Sequence, residues 1–376
     1  MTHQDPELLA SLNARTRTSP FFDRTVAAGL ARVTEYNHMW LPQDYGDPSA
    51  EYERLTTAVA MWDVAAQRHI EVTGVGATGF VDAVVAIDAT EVDPGTTTYA
   101  PMVDHDGRLI NDPVLVRLPD GSWRLSIADG DIGLWLRAIA AERGLDVRVR
   151  ELDTATLAVQ GPSASAVASE LRLDLDSLES RHVGGATIAD DIDVWLSVTG
   201  WSGQDGFELF LDDPRHAERL WDAVADAGAD HGIGPGTPDP VERMEAGPLL
   251  SYGTDSGYDA DPFELGLGDV VDLDSGPFIG RDALVRIRDA GARRRLTGCT
   301  IGGGPLDGLI RPVRLGARDD VVEQLRAAGR SPAFDRVIGL CLVAAERDAG
   351  ERFDVDTPHG HREVELVDLP FSDSLT

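Results

Sequence analysis

The stretch Ser197-Val-Thr-Gly-Trp-Ser-Gly-Gln-Asp-Gly-Phe-Glu-Leu-Phe210 alternates apolar and polar side chains on both sides of a glycine-rich turn. This pattern predicts a strand, a tight turn and a returning strand. Trp201 lies in the turn and Glu208 in the returning strand, and three glycines allow close backbone approach or a positive φ. A ring beside a carboxylate suits a flat heterocycle with N–H donors. A plain hairpin with a surface tryptophan fits the pattern equally well.

The charge of the chain is strongly one-sided. Among 376 residues there are 65 acidic and 33 basic side chains, the net charge is −32, and every basic residue is arginine. Such a surface repels nucleic acid and anionic membranes, so we expect neither as a partner. Acidic surfaces stay soluble where salt screens self-repulsion, and this predicts adaptation to a salt-rich cytoplasm. High-GC codon usage would explain arginine in place of lysine, but not the excess of acid.

Length and composition predict two or three folded domains, because 42% of the residues are hydrophobic. The chain contains no apolar run of about 20 residues and no signal-like N-terminus, so a cytoplasmic location is expected. Cys299 and Cys341 lie apart in apolar runs, which favours buried free thiols over a disulfide. The histidines show no ligand spacing, and no metal site is predicted.

Several stretches place polar side chains among apolar ones. The run Arg32–Pro42 begins as a strand that we expect Pro42 to end, and its Tyr36 to Trp40 portion reads as a pocket wall or a buried strand end. Residues 49–62 read as a capped amphipathic helix. In the short helix that ends at Gly247, Arg243 and Glu245 predict a buried ion pair or a ligand contact.

The segment 96–117 predicts a hairpin with its turn at residues 104–107. Asn111 and Asp112 interrupt its apolar second strand, and Pro113 forbids a ladder N–H there, which indicates a sheet edge or a bulge. A carboxylate beside such a break either points into a cleft or is an ordinary solvated side chain. From residue 293 onward the pattern consists of strands, which predicts a β-rich C-terminal domain after a linker at 269–292.

Nine motifs in order give the chain a family resemblance. They are Tyr36–Pro42, Leu109–Val114, Trp123–Asp131, Leu157–Pro162, Gly200–Glu208, Arg243–Gly247, Leu250–Asp255, Pro262–Leu267 and Phe278–Leu284. Together they resemble the folate-dependent aminomethyltransferase family, the glycine-cleavage T-protein group. Within that group they are most similar to the dimethylsulfoniopropionate (DMSP) demethylases.

The resemblance implies an α+β fold of three domains in a ring around a central folate site. Residues 1–50 with 151–268 would form the folate-binding domain, 51–150 the second domain and 293–376 the β-rich third. Tetrahydrofolate would be the cofactor and a small methyl donor the substrate; a homodimer is left open.

The resemblance also assigns site residues. Glu208 would hold the pterin ring through paired hydrogen bonds, and Trp201 would line the site with Phe210 and Arg243. Tyr36 would lie against the substrate or folate. Asn111 or Asp112 would be near the reactive folate nitrogen.

Three features of the sequence bear on the branches of the family. T-proteins carry an Asp-Asp pair where this chain has Asn111-Asp112, and the first Asp is tied there to aminomethyl chemistry. A departing amine needs a proton, whereas a departing sulfide does not, so Asn111 favours demethylation of DMSP. In contrast, Ser202-Gly-Gln-Asp205 is closer to the T-protein turn, and Phe210 replaces a tyrosine common in demethylases. The alternatives are a T-protein aminomethyltransferase with a lipoylated carrier, or a demethylase of another methylated amine or ether.

Overall fold

A computed structural model describes residues 16–175, 180–247, 259–304, 313–318, 321–357 and 360–375. The motif Leu250–Asp255 lies outside these described residues. The helices within them are α1 Phe22–Ala27, α2 Pro48–Thr57, α3 Ala77–Asp82, α4 Ile132–Glu142, α5 Ala164–Glu170, α6 Ala217–Gly228, α7 Pro240–Ala246, α8 Arg281–Ala290 and α9 Phe371–Leu375.

The strands belong to three large sheets and two short hairpins. In chain order they are β1 Arg32–Tyr36, β2 Met39–Asp44, β3 Val59–Asp63, β4 His69–Thr73, β5 Thr96–Tyr99, β6 Met102–Val103, β7 Leu109–Asn111, β8 Val114–Arg117, β9 Trp123–Ser126, β10 Arg148–Glu151, β11 Ala155–Gln160, β12 Val183–Ile188, β13 Ile192–Ser197, β14 Gly206–Leu211, β15 Ile233–Pro235, β16 Arg294–Ile301, β17 Val313–Arg318, β18 Val321–Ser331, β19 Arg336–Ala344, β20 Arg352–Thr357 and β21 Gly360–Val367.

The first sheet has the order β12-β13-β14-β11-β3-β15, antiparallel except for the parallel pair β15 and β3. Because side chains alternate along a strand, Leu157 and Leu209 face one side, where they pack with Val167 of α5 and Leu220 of α6. This helix-covered face is the core of the first unit. The opposite face, which includes Glu208, is turned away from these helices.

The second sheet has the antiparallel order β10-β4-β9-β8-β5. Its core face carries Ile70 and Leu125, which pack with Phe80 of α3 and Leu136 of α4. Its other face meets the first sheet, where the His69 ring lies edge-on to Phe210 at a centroid distance of 4.7 Å.

The third sheet has the order β17-β18-β19-β16-β21-β20, and all its pairs are antiparallel. Its outer strands β17 and β20 contact each other, so the sheet curls toward a barrel. Cys299 and Cys341 are buried free thiols inside it, as predicted.

The three units close into a ring because each contacts the other two. One apolar cluster contains Leu109 and Ala128 from the second unit, Met244 from α7, and Ile338 and Phe371 from the third. The prediction of an α+β fold with three domains in a ring and a β-rich C-terminal domain is confirmed.

The predicted helix at 49–62 is wrong at its C-terminal end. Helix α2 stops at Thr57, and Val59–Asp63 forms β3, which lies between β11 and β15 in the first sheet. All five residues of β3 are buried. A strand buried on both faces reads as a continuous apolar run, which periodicity does not separate from a helix. The boundary predicted at residue 51 therefore divides α2 and β3 from the sheet to which β3 belongs.

Two further local predictions need correction. Pro42 does not end its strand but lies within β2, opposite Val33 and next to a register shift. A proline is tolerated there because β1 and β2 form a two-stranded sheet with free edges. The predicted linker at 269–292 contains α8, whose Leu284 packs with Phe278 and Val103. In the part of the chain that the structure describes, no helix is long and apolar enough to cross a bilayer.

Candidate functional site

Glu208 lies near the centre of the first sheet, on the face away from the helices. It is directly opposite Ala158 of β11 on one side and Ser197 of β13 on the other. Beyond Ala158, the next strand places Trp62 of β3 in the same row. Directly paired residues point to the same face, so Trp62, Ala158 and Glu208 form one row, which we call the slot, with the small Ala158 between the indole and the carboxylate. The predicted antiparallel pairing of this stretch is confirmed.

The Glu208 carboxylate is held by a hydroxyl. Thr199 Oγ1 donates to Glu208 Oε2 at 2.6 Å, and Ser197 Oγ is 2.9 Å from Thr199 Oγ1. Burial raises the pKa of Glu208, and the Thr199 hydrogen bond partly offsets that rise. The carboxylate is therefore a desolvated acceptor, which makes each hydrogen bond to it stronger than one in water.

The connection between β13 and β14 is an eight-residue loop, 198–205, rather than a tight turn. Two buried polar residues hold it. Gln160 accepts a hydrogen bond from Ser202 Oγ at 2.8 Å and lies against the backbone of Gly200 and Gly206, where any Cβ would collide with its side chain. These glycines thus serve close approach, and neither has a positive φ.

Glu242 of α7 anchors the tip of the same loop. Its carboxylate oxygens accept from Gly203 N at 3.2 and 3.3 Å, and Oε1 accepts from Gln204 Nε2 at 2.9 Å. The side chain is 2% exposed, and burial raises its pKa. Ala246 lies so close to Gly203 that a Cβ there would clash with it. Glu242 therefore fixes the loop that carries Trp201.

Trp201 closes one side of the slot. It packs against the cluster of Leu55, Trp62 and Ala158, and the Arg243 guanidinium lies over its ring at 5.6 Å from the centroid. This contact is a cation–π interaction that joins α7 to the loop. The alternative of a surface tryptophan on a plain hairpin is wrong. The predicted pairing of Arg243 with Glu245 is not formed either, because Glu245 accepts from Tyr52 Oη at 2.6 Å and from Ser331.

Asp112 lies at the break that Pro113 makes between β7 and β8. Tyr99 Oη donates to Asp112 Oδ2 at 2.8 Å, and Asp112 is 8% exposed. Burial, and then the Asp112 charge, raises the pKa of Tyr99, whereas the positive charge of Arg243 lowers it. Asp112, Tyr99 and Arg243 therefore share one electrostatic environment, and Asp112 is not a solvated surface side chain.

The side chain of Asn111 forms hydrogen bonds with the backbone of Ala128. Its Nδ2 donates to Ala128 O and its Oδ1 accepts from Ala128 N, both at 3.1 Å, and the residue is fully buried. This two-way pairing fixes the loop after β9. The predicted approach of Asn111 to the reactive nitrogen remains a hypothesis, because its amide is engaged by protein on both ends.

The same loop receives the tip of the β1–β2 hairpin. Asn37 and His38 both have positive φ, 49° and 57°, which makes this a two-residue turn of type I′. Asn37 Oδ1 accepts from Gly130 N at 2.9 Å, and His38 Nε2 is 3.1 Å from Asp131 Oδ1. The motifs Tyr36–Pro42, Leu109–Val114 and Trp123–Asp131 thus meet at one place.

Three further aromatic residues are not members of the apolar cluster around Trp62 and Ala158. Phe210 is 2% exposed and packs with Val116 and Val183 between the sheets, so we correct its predicted role from cofactor binding to packing. Tyr36 is half-buried against the core of the first unit, and its contact with substrate remains a prediction. Trp40 packs on Phe22 of α1, with ring centroids 5.5 Å apart.

Sequence reasoning missed four residues that shape the site. Gln160 and Glu242 hold the loop, Thr199 holds Glu208, and Tyr99 holds Asp112. A signal existed for Gln160 alone, as a polar residue that ends an apolar strand before Gly161-Pro162. Within the described ranges no group of three side chains could hold a metal ion. The charged groups of the site there are the carboxylates of Glu208 and Asp112 and the guanidinium of Arg243.

Comparison with known proteins gives a consistent result. Residues 21–275 match the model of the GCVT N-terminal domain, and 294–373 match that of the glycine cleavage T-protein C-terminal barrel domain. The chain is 33% identical to dimethylsulfoniopropionate demethylase DmdA of Ruegeria pomeroyi, covering 93% of this chain and 96% of that protein. It is 29% identical to an aminomethyltransferase of Moorella thermoacetica, covering 95% and 98%.

One solved structure is similar over nearly the whole length. The glycine cleavage system aminomethyltransferase T of Bartonella henselae superposes with a TM-score of 0.82 over 96% of this chain and 98% of that one. At 22% identity this likeness establishes the fold.

Proposed function

The chain belongs to the glycine-cleavage T-protein family, and we propose that within it this protein transfers a methyl group from a small donor to tetrahydrofolate. The family identifies an enzyme that moves methyl or aminomethyl groups with tetrahydrofolate. Our first choice of donor is DMSP. The demethylase named among the relatives supports this choice, as does the asparagine at position 111.

The residues of the slot fit a folate. A pterin ring is flat and presents adjacent N–H donors, which an ionised Glu208 accepts in pairs. The floor at Ala158 carries no large side chain, and the indoles of Trp62 and Trp201 belong to the apolar cluster around that floor. The site thus combines an apolar wall with one desolvated acceptor, as small-molecule sites typically do.

The choice of reaction rests on the neutral side chain at position 111 and its hydrogen bonds. Its amide is neutral and bound to the backbone of Ala128, so position 111 supplies no proton. An amine that departs in aminomethyl transfer needs a proton, whereas a sulfonium departs as a neutral sulfide. Tetrahydrofolate supplies the nucleophilic N5, to which the methyl carbon bonds as its bond to sulfur breaks. The protein's task is mainly alignment.

Asp112 and Arg243 take charged roles in this proposal. Asp112, whose Oδ2 accepts a hydrogen bond from the Tyr99 hydroxyl, would take up the proton that methylation releases from N5. Arg243 supplies positive charge for a carboxylate of the donor or of folate. Tyr36 and Trp201 are the aromatic residues assigned to the positive sulfonium, through the attraction of a cation to a ring face.

A second candidate is the T-protein reaction itself. Full-length similarity to aminomethyltransferases favours it, at 29% identity in the case of the Moorella thermoacetica protein. This reading requires a lipoylated carrier protein and release of ammonia. A demethylase of another methylated amine or ether is the remaining variant.

The experiment that separates these readings is a substrate screen at high salt. The protein is incubated with tetrahydrofolate and, in parallel, with DMSP, with methylated amines or ethers, or with an aminomethylated lipoyl carrier. We expect 5-methyltetrahydrofolate and methylthiopropionate in equal amounts from DMSP. Ammonia and methylenetetrahydrofolate from the carrier, without turnover of DMSP, would overturn the proposal in favour of the T-protein reaction.

A further inference from the structure

Ser197, Thr199 and Glu208 form a line of hydrogen-bonding groups at the end of β13. Ser197 is fully buried and lies directly opposite Glu208 in the sheet. Thr199 stands two residues further on, where the chain leaves β13, and its hydroxyl lies between the other two side chains, 2.9 Å from Ser197 Oγ and 2.6 Å from Glu208 Oε2. The reaction proposed above assigns no part to either hydroxyl.

The direction of the hydrogens in this line follows from counting donors. A threonine hydroxyl has one hydrogen. The Thr199 hydroxyl donates its one hydrogen to Glu208 Oε2. The Thr199 oxygen therefore accepts the hydrogen of the Ser197 hydroxyl. Both hydroxyls therefore point their hydrogens toward the carboxylate. This arrangement complements an ionised Glu208 and ties down Oε2, which leaves Oε1 as the oxygen that no hydroxyl of the line engages.

Thr199 is itself held in place. Gln160 Nε2 donates to the carbonyl oxygen of Thr199 at 3.4 Å and to that of Val159 at 3.2 Å. Gln160 is completely buried, so the backbone at Thr199 is attached to a rigid strand. The hydroxyl therefore reaches Glu208 from a fixed point rather than from a mobile loop.

Few other groups set the ionisation of Glu208. Its neighbours across the sheet, Ala158 and Ser197, are uncharged, and the only influences on its pKa among the described residues are burial, which raises it, and the Thr199 bond, which lowers it. The charged groups elsewhere in the site are Arg243 of α7 and Asp112 beyond β7. Thr199 is thus the one group of the site that favours the ionised form of Glu208 by direct contact.

We propose that Thr199, supported by Ser197, is a positioning residue that keeps Glu208 ionised and aims its carboxylate at the pterin ring. This inference rests on the proposed function, because it assumes that Glu208 binds folate. A protonated Glu208 would lose one acceptor and present a hydrogen to the N–H groups of the ring. Thr199 would therefore determine the pH range over which folate binds.

The test measures the dissociation constant of 5-methyltetrahydrofolate by calorimetry from acidic to alkaline pH at constant high salt. The variants are Thr199→Val, which keeps the shape and removes the hydroxyl, and Thr199→Ser, which restores it. Thr187→Val is the matched control, because Thr187 Oγ1 donates to Asp193 at 2.9 Å on the exposed side of the same sheet. Circular dichroism checks that each variant is folded.

We expect affinity to fall as pH drops through the pKa of Glu208 in the native protein. In Thr199→Val the midpoint of that fall moves upward by about one pH unit, and affinity at a pH well below the native midpoint weakens about tenfold, since a hydrogen bond to a charged group has roughly that effect. Thr199→Ser and Thr187→Val follow the native profile. An unshifted midpoint in folded Thr199→Val would overturn the inference. Glu208→Ala distinguishes failure of the Thr199 inference from failure of the proposed folate site. If this variant binds folate with unchanged affinity, the proposed site itself is wrong.

Discussion

Glu242 is the residue whose removal tests the architecture of the site most directly. It touches neither Glu208 nor Asp112 in any described contact, but it accepts two hydrogen bonds from the loop that carries Trp201. In Glu242→Ala, the Gly203 N–H and the Gln204 amide both lose the carboxylate as acceptor and are left to water, because Gly203 is exposed and Gln204 is half-buried. The loop is then free to leave its closed position.

The size of the effect follows from the bonds that are lost. A hydrogen bond to a charged group contributes about 1.5–3 kcal/mol, and neither Gly203 nor Gln204 is buried, so no full cost of a buried unpaired donor is added. Removing the buried carboxylate also relieves its desolvation, which is the main reason that its pKa is raised. We therefore expect the closed loop to lose about 2–3 kcal/mol. Because apparent affinity scales with the closed fraction, folate binding should weaken by up to roughly a hundredfold.

Calorimetric titration with 5-methyltetrahydrofolate measures this loss, and hydrogen exchange at the amides of residues 198–205 measures the opening. Glu323→Ala is the control. Glu323 is also a fully buried carboxylate that accepts from backbone, at Ala344 N, but it lies in the third sheet and pairs with Arg347. That variant should lower stability and leave folate affinity unchanged. A folded Glu242→Ala protein with native affinity and native exchange in the loop would refute the reasoning.

Three other outcomes are expected. Asp63 is buried, desolvation raises its pKa to about 6, and Ser19 and Ala65 N donate to it. Since its folded pKa is above the unfolded one, stability should fall by up to about 3 kcal/mol as pH rises from about 4 to 6. Asp63→Asn should remove that slope in urea titrations, and an unchanged slope would contradict the assignment. Asn111→Asp removes the donor to Ala128 O and buries a charge, so thermal unfolding should show a loss of about 3 kcal/mol or more; an unchanged melting temperature would exclude a structural role. Finally, the net charge of −32 predicts that lowering the salt concentration lowers the melting temperature, and a melting temperature independent of salt would argue against adaptation to a salt-rich cytoplasm.

The salt concentration acts differently on the exposed and the buried charges of this protein. Screening by salt acts mainly on exposed charges, whereas buried pairs such as Arg347–Glu323 are screened much less. We therefore expect low salt to weaken the whole fold before it alters the geometry of the slot. Affinity and stability should be measured at the same high ionic strength.

Sequence reasoning found several of the positions that form the candidate site. Glycines in a turn, a carboxylate on the returning strand and a proline-broken strand with Asn111-Asp112 are local signals, since each depends on residues a few positions apart. Local patterns also predicted the hairpin around residues 104–107 and the strand-rich C-terminal domain, both of which the structure contains. The prediction of a helix as far as residue 62 was wrong because a strand buried on both faces shows no alternation of apolar and polar side chains.

The amino-acid sequence by itself determined the family, the α+β class and the acid-rich surface, because these depend on composition and on the order of short motifs. Only the tertiary structure decided what each polar side chain does. Asn111 meets Ala128 across 17 positions, and Glu242 meets Gly203 across 39. Partners at such separations are chosen by the packing of sheets and helices, which no local pattern encodes. For that reason the residues around Trp201 alone predicted a hairpin. That this stretch forms one wall of the slot depends on its contacts with Gln160, Glu242 and Arg243, which only the tertiary structure shows.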